Sequence, residues 1–331
     1  MGGIVVFFIF YKQIETQNTS DFDANTQSCV GHTHLSDTAC MTPTISKIPY
    51  ADLKSKIEKY ITEEKARGTL VETGFYFRDL KNGPTLGINE HTEFTPASML
   101  KVPVLIAYLD IAKDNPEILN TELVISGDAI QAEDNAFDQN YIPRERVEAD
   151  TPYTIDELLR RLIVFSDNIA SIALIQYLEG TLSTNVNKFT EVFQGLGLLP
   201  DVEENEFVLS TKRYSQMLST LYYSAYLPAD MSEKALALLE ESEYENGLVA
   251  GLPKDLRIAH KFGERTILSL AGSSTPPVLR QLHDCGIVYY PENPYLLCVM
   301  TRGKEYRELE KFIQTISQMV YEEIESRKII R

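Results

Sequence analysis

The sequence predicts an α+β fold: a mainly antiparallel sheet, completed by both ends of the chain, beside an inserted all-helical region. Three observations predict it. Strand-like alternation occurs near residues 71–79 and returns only after residue 256. Helical apolar spacing dominates the stretch between, from Ser98 to about Tyr226. No internal repeat and no linker interrupts residues 50–331, so both patterns belong to one unit.

The elements follow in order. Leu53, Ile57, Tyr60 and Ile61 are spaced for a helix over 50–67, and Gly68 stops it. Residues 71–79 alternate as a strand, Lys81-Asn82-Gly83-Pro84 marks a turn, and residues 85–89 return. Helices are expected over 98–113, 154–164, 167–178, 185–195 and 211–225. Residues 256–262 read as a strand, and 286–290 and 295–301 as a hairpin around Pro291-Glu292-Asn293-Pro294. The last stretch, 304–328, places Leu309, Phe312, Ile313, Ile316 and Val320 on one side of a terminal helix.

The hairpin register bears on two cysteines. If Pro291 faces Pro294, Cys298 lies opposite Ile287 and Cys285 is its diagonal neighbour. Diagonal residues are roughly 7–8 Å apart, longer than a relaxed disulfide allows. Two small buried residues, not a bond, are expected.

Composition narrows the partners. Of 331 residues, 44% are hydrophobic, enough for a large core, and 31 basic against 48 acidic residues leave a net charge of −17. A nucleic-acid binder needs a basic surface, and anionic lipid selects against the same acidity, so neither partner is expected. Four cysteines are too few for a disulfide scaffold, and the five histidines form no zinc spacing. No metal site and no cofactor is expected.

Gly3–Tyr11 is an unbroken apolar run. It is shorter than the about 20 residues of a membrane span. We read residues 1–12 as the remnant of an export signal or membrane anchor, with a buried strand as the alternative. Residues 13–49 are polar and lack apolar periodicity, the signature of a linker. Cys29 and Cys40 lie in it and could pair after export. The expectation is an exported protein, tethered at its N-terminus, with one domain over 50–331.

Three short motifs carry chemistry. Ser98-Met-Leu-Lys101 is an SxxK at the start of an apolar helix, where the lysine amine stands over the serine hydroxyl. A serine is a weak nucleophile until a base takes its proton, and a lysine neutralised by its surroundings can do so. Alone, SxxK is a common accident. Ser166-Asp167-Asn168 follows between two helical segments; a helix N-cap is its plain reading. Lys261-Phe262-Gly263 ends a strand, putting a cation beside backbone that a ligand can approach. The plain alternative is an exposed strand-end lysine. Lys81-Asn82-Gly83 repeats the spacing but reads as a turn.

SMLK, SDN and KFG, in this order, resemble the signatures of the class A β-lactamase and penicillin-binding protein superfamily of serine hydrolases. FTPASMLKVPVLIAYL, YTIDELLRRLIVFSDNIASIALI and GIVYYPENPYLLCVMT extend the resemblance over roughly 50–328. It implies the β-lactamase/transpeptidase-like α+β fold, with the site between sheet and helical region. It also implies roles. Ser98 would be acylated, Lys101 would take or relay its proton, and Ser166 would pass a proton to the leaving nitrogen. Asn168 would hold a substrate amide, and Lys261 a substrate carboxylate. Gly263 would let the substrate approach, and the N–H groups of Ser98 and Glu264 would form the oxyanion hole.

Two departures bear on the reaction. Class A enzymes deacylate with a loop glutamate that has an asparagine four residues on. Here Glu203 and Glu204, with Glu206, are the candidates, but Phe207, Val208 and Ser210 stand at those later positions. Three solvated surface acids explain them equally well. The hydroxyl that follows the lysine in the family is replaced by Phe262, and its usual arginine on the next strand is absent. Arg265, Arg280 or a protonated His283, in a long connection over 264–284, are candidate substitutes. His260 is either a proton-sensitive neighbour of Lys261 or an ordinary strand residue. Three readings follow: a β-lactamase-like hydrolase of β-lactams or related amides, a D-Ala-D-Ala peptidase-like enzyme with poor β-lactam turnover, or a silent peptide-binding member.

Overall fold

A computed structural model describes residues 50–81, 83–134, 140–181, 188–198, 207–268 and 278–328. The N-terminal apolar run, the polar stretch with Cys29 and Cys40, and Glu203, Glu204 and Glu206 lie outside them. The chain opens with α1 (Ala51–Arg67), β1 (Leu70–Asp79), β2 (Thr85–Ile88) and β3 (Glu93–Phe94). A 3-10 turn, Ala97–Leu100, leads into α2 (Lys101–Ala112). The helical region continues through β4 (Glu122–Val124), α3 (Gly127–Asp134), β5 (Pro152–Thr154), α4 (Ile155–Val164), α5 (Asn168–Thr181) and α6 (Lys188–Gly195). It closes with β6 (Leu209–Ser210), α7 (Thr211–Tyr222) and α8 (Ala229–Glu240). Then come β7 (Ile258–Leu268), β8 (Val278–Val288), β9 (Tyr295–Gly303) and α9 (Tyr306–Lys328). Among the described residues no helix is long and apolar enough to cross a membrane.

Five strands form one antiparallel sheet in the order β2-β1-β9-β8-β7. Both ends of the chain build it, as predicted. Alternation sends successive side chains to opposite faces, which gives the protein two cores. On one face Tyr76, Ala259, Cys285, Ile287, Cys298 and Met300 pack with the helical region. On the other, Phe75, Phe77, Phe262, Leu297 and Val299 pack with Leu53 and Ile57 of α1 and Phe312 and Ile316 of α9. Helix α2 is mostly apolar and buried all round, with only Ile111 not fully buried, and so runs through the middle of the helical core.

Local signals place the helix ends. Thr154 and Glu157 form a capping box on α4. Gly68 ends α1 in the left-handed region, φ 75°, where its N–H reaches Glu64 and Lys65.

The hairpin corrects one expectation. Cys285 and Cys298 form a disulfide, their Cα atoms 3.9 Å apart. The turn is tighter than the sequence suggested. Asn293 N–H donates to Tyr290 O at 3.1 Å, and Glu292 takes the positive φ, 63°, of the third turn residue. Pairing is therefore shifted by two in residue sum, and Cys285 faces Cys298 directly. The bridge spans a sequence separation of 13, for which loop closure predicts about 3 kcal/mol of stabilisation. Urea unfolding of a Cys285→Ala, Cys298→Ala double variant is expected to show that loss. A change below about 1 kcal/mol would count against it.

A second correction concerns residues 264–284. They are not one long connection: β7 runs on to Leu268 and β8 begins at Val278, so Arg265 and Arg280 are strand residues.

Candidate active site

Ser98, Lys101, Ser166, Asn168 and Lys261 converge. Ser98 lies in the 3-10 turn that leads into α2, and Lys101 is the first residue of α2, one turn on. Lys101 Nζ is 3.1 Å from Ser98 Oγ, 2.5 Å from Ser166 O, 2.6 Å from Asn168 Oδ1 and 3.2 Å from Ser166 Oγ. Lys261 Nζ approaches from β7, donating to Ser166 Oγ at 2.9 Å and Phe262 O at 3.0 Å. Two lysine nitrogens thus share one hydroxyl. Burial pushes the Lys261 ammonium well below the usual lysine range, and the nearby Lys101 charge pushes it further.

The backbone is strained at this point. Ala97, just before the serine, has φ 50°, and Ser166 has φ 54°. Left-handed backbone at a non-glycine residue costs of order 1–3 kcal/mol and collects at functional sites.

Asp167 fits the plain reading of its tripeptide. Its Oδ1 accepts from Ala170 N–H at 3.0 Å, capping α5, and its Oδ2 from Val147 N–H at 2.8 Å. The cap turns Ser166 and Asn168 toward Lys101.

Gly263 is needed for close approach. A Cβ there would lie 2.6 Å from Pro96 O and 3.1 Å from Met99 N. Strand β7 therefore rests on the Ser98 turn. It is the last strand of the sheet, so half its backbone groups face away from β8. The Glu264 carboxylate does not turn into the site: its Oε1 accepts from Asn140 N–H at 2.8 Å and Tyr141 N–H at 2.6 Å.

Two candidate carboxylate partners are spent elsewhere. Arg280 donates to Lys304 O, lies 3.3 Å from a Glu305 oxygen and covers the Tyr306 ring. His283 is fully buried. Its Nδ1 accepts from Thr301 N–H at 3.2 Å while Nε2 meets Thr95 O at 3.1 Å. Burial above all drives its pKa from 6.5 to about 4, so it is not the cation. The sign of its stability effect follows. The unfolded chain binds the proton first, so stability falls as pH drops from 6.5 toward 4, by about 3 kcal/mol in total. Replacing His283 with Gln is expected to flatten that part of the stability–pH curve. An unchanged slope in thermal melts between those pH values would refute it. Arg265 stands two residues beyond Gly263, opposite Gln281.

His260 is a buried strand residue. Its Nδ1 lies 2.8 Å from Asp284 Oδ1, and Asp284 Oδ2 accepts from Leu248 N–H at 2.9 Å. This pair sits behind Lys261, on the α9 side of the sheet, where the Asp284 charge favours the Lys261 ammonium against the cost of burial.

No local sequence pattern marks Tyr141, Glu243 and Tyr244. Tyr141 and Tyr244 pack around Phe262, and Glu243 N–H donates to Val164 O, two residues before Ser166.

The family model described as the β-lactamase enzyme family matches residues 52–324. The chain belongs to this family. Solved structures share the fold. PBP-A superposes with a TM-score of 0.65 at 22% identity, over 83% of this chain and 97% of that one. An acyl-enzyme complex of a PBP-A mutant with penicillin G gives 0.64 at 22%, over 83% and 97%. A β-lactamase from Xanthomonas campestris gives 0.63 at 18%, over 81% and 97%. A search of curated proteins finds no match.

Proposed function

We propose that this protein is a serine hydrolase that opens a β-lactam or related amide through an acyl-enzyme on Ser98. One observation carries the reading: Lys101 Nζ bridges Ser98 Oγ, Ser166 and Asn168. Ser166 O and Asn168 Oδ1 only accept, so they take two N–H groups. A neutral Lys101 amine then keeps its lone pair for the Ser98 proton. Lys101 and Lys261 meet at the Ser166 hydroxyl, so a proton on one disfavours a proton on the other.

Ser98 Oγ attacks the carbonyl carbon as Lys101 takes its proton. The N–H groups of Ser98 and Glu264 stabilise the oxyanion. The C–N bond breaks as Ser166, held by Lys261, hands its proton to the leaving nitrogen and takes the Ser98 proton from Lys101. Asn168 keeps its amide N–H groups for a substrate carbonyl. Water then releases the acyl group, with Glu203 or Glu204 the candidate base. Penicillin G as an acylating partner is suggested by the PBP-A complex. Export fits the disulfide, which persists in oxidising compartments, and the N-terminal apolar run fits a tether there.

A second reading has its own support. The glutamates of 203–206 lack the asparagine spacing of class A enzymes. Acylation without fast release would make the protein a penicillin target that acts on D-Ala-D-Ala peptides.

The test mixes the full chain with a chromogenic cephalosporin and a labelled penicillin, beside Ser98→Ala. Steady turnover lost in the variant supports hydrolysis. A stable label on wild type alone supports the second reading. No reaction with either compound or with a D-Ala-D-Ala peptide overturns both.

A further inference from the structure

The turn that carries Ser98 holds a conformation its own residues do not favour. Ala97 has φ 50°, a left-handed backbone at a residue that has a Cβ. Such a conformation persists only where its surroundings over-determine it. Within the turn, Met99 N–H donates to Pro96 O at 3.0 Å.

Two donors from outside take carbonyls on either side of Ser98. The Tyr214 hydroxyl, on α7, donates to Met99 O at 3.1 Å. His283, on β8, meets Thr95 O at 3.1 Å through Nε2. The other imidazole nitrogen fixes the direction of that bond. Thr301 N–H can only donate, so Nδ1 accepts and the proton sits on Nε2. Gln281 Oε1, 3.1 Å from the same Nε2, is a second acceptor and agrees with this tautomer.

Both donors are held in place. Tyr214 and His283 are fully buried, one in the helical core and the other in the sheet. Phe94, the residue before Thr95, meets the His283 ring edge-on at 5.4 Å and pairs with Leu209. Burial pushes the Tyr214 hydroxyl well above the usual tyrosine range, so it keeps its proton for Met99 O.

We infer that Tyr214 and His283 are positioning residues for acylation. They clamp the two ends of the Ser98 turn and so keep the Ser98 hydroxyl 3.1 Å from Lys101 Nζ. Each acts through a backbone carbonyl and not on the reacting atoms. Without the Tyr214 hydroxyl, Met99 O loses a buried donor, and the backbone at Ala97 relaxes toward the ordinary region. The Ser98 hydroxyl and N–H turn with it. This rests on the acyl-transfer reading above and adds the side chains that hold its nucleophile.

Rapid-mixing labelling of the full chain by penicillin separates the saturated acylation rate from the half-saturating concentration. Tyr214→Phe removes a single hydroxyl and is expected to slow the saturated rate at least about tenfold, with the half-saturating concentration unchanged. His283→Leu is expected to do the same. Tyr108→Phe is the control, because the Tyr108 hydroxyl donates to Leu174 O at 2.7 Å, equally buried but farther along α2. It is expected to lower the melting temperature as Tyr214→Phe does and to leave the acylation rate unchanged. A Tyr214→Phe rate within about tenfold of wild type overturns the inference. So does equal slowing in Tyr108→Phe, or a loss carried by the half-saturating concentration. The acyl-transfer reading stands in all three cases. A folded His283→Leu protein that labels at the wild-type rate removes His283 from the clamp; if that variant does not fold, Tyr214→Phe decides. Absence of Ser98-dependent labelling in wild type overturns the acyl-transfer reading and this inference together.

Discussion

Lys101→Met is expected to slow acylation of Ser98 by about 10²–10⁴-fold, the range for loss of a positioned proton acceptor. Methionine fills the buried volume that the lysine stem occupies but has no amine for the Ser98 proton. Lys261 does not replace it. Its nitrogen contacts Ser166 Oγ and Phe262 O, on the far side of the shared hydroxyl. The variant leaves Ser166 O and Asn168 Oδ1 without their donor, a cost of about 1–3 kcal/mol. The measurement is therefore the rate of labelling by penicillin in protein shown folded by thermal melting. A rate within about tenfold of wild type would remove Lys101 from the proton path.

Gly263→Ala is expected to reduce acylation by about 10²-fold, because displacement of a reacting geometry by about 1 Å has that effect. The added Cβ would stand 2.6 Å from Pro96 O, 2.9 Å from Met99 Cγ and 3.1 Å from Met99 N. The methionine side chain can move, but the backbone atoms belong to the turn that carries Ser98. Strand β7 must retreat, and the N–H of Glu264 retreats with it from the N–H of Ser98. Overpacking of this kind costs about 1–3 kcal/mol of stability, so the variant should still fold. Comparable labelling rates in Gly263→Ala and wild type would show that the strand does not set the site.

The sequence alone determined the fold class and most elements, because these depend on local period. Strand alternation at residues 71–79, helical spacing at 98–113 and the turn around Pro291 are all legible within short windows. The order SxxK, SDN, KxG named the residues that converge in the structure, although Asp167 turned out to cap a helix while its two neighbours face the lysines. The hairpin register is not legible in this way, since one turn residue decides whether Cys298 meets Ile287 or Cys285. Tertiary structure alone decided what surrounds the motifs. Tyr141, Glu243, Phe262 and Glu264 are brought together across separations of 102 and 123 residues. Neither propensity nor spacing encodes such contacts. They arise when β7 closes on the Ser98 turn and buries Lys261, and burial is what sets a lysine's charge and the kind of group that can approach it.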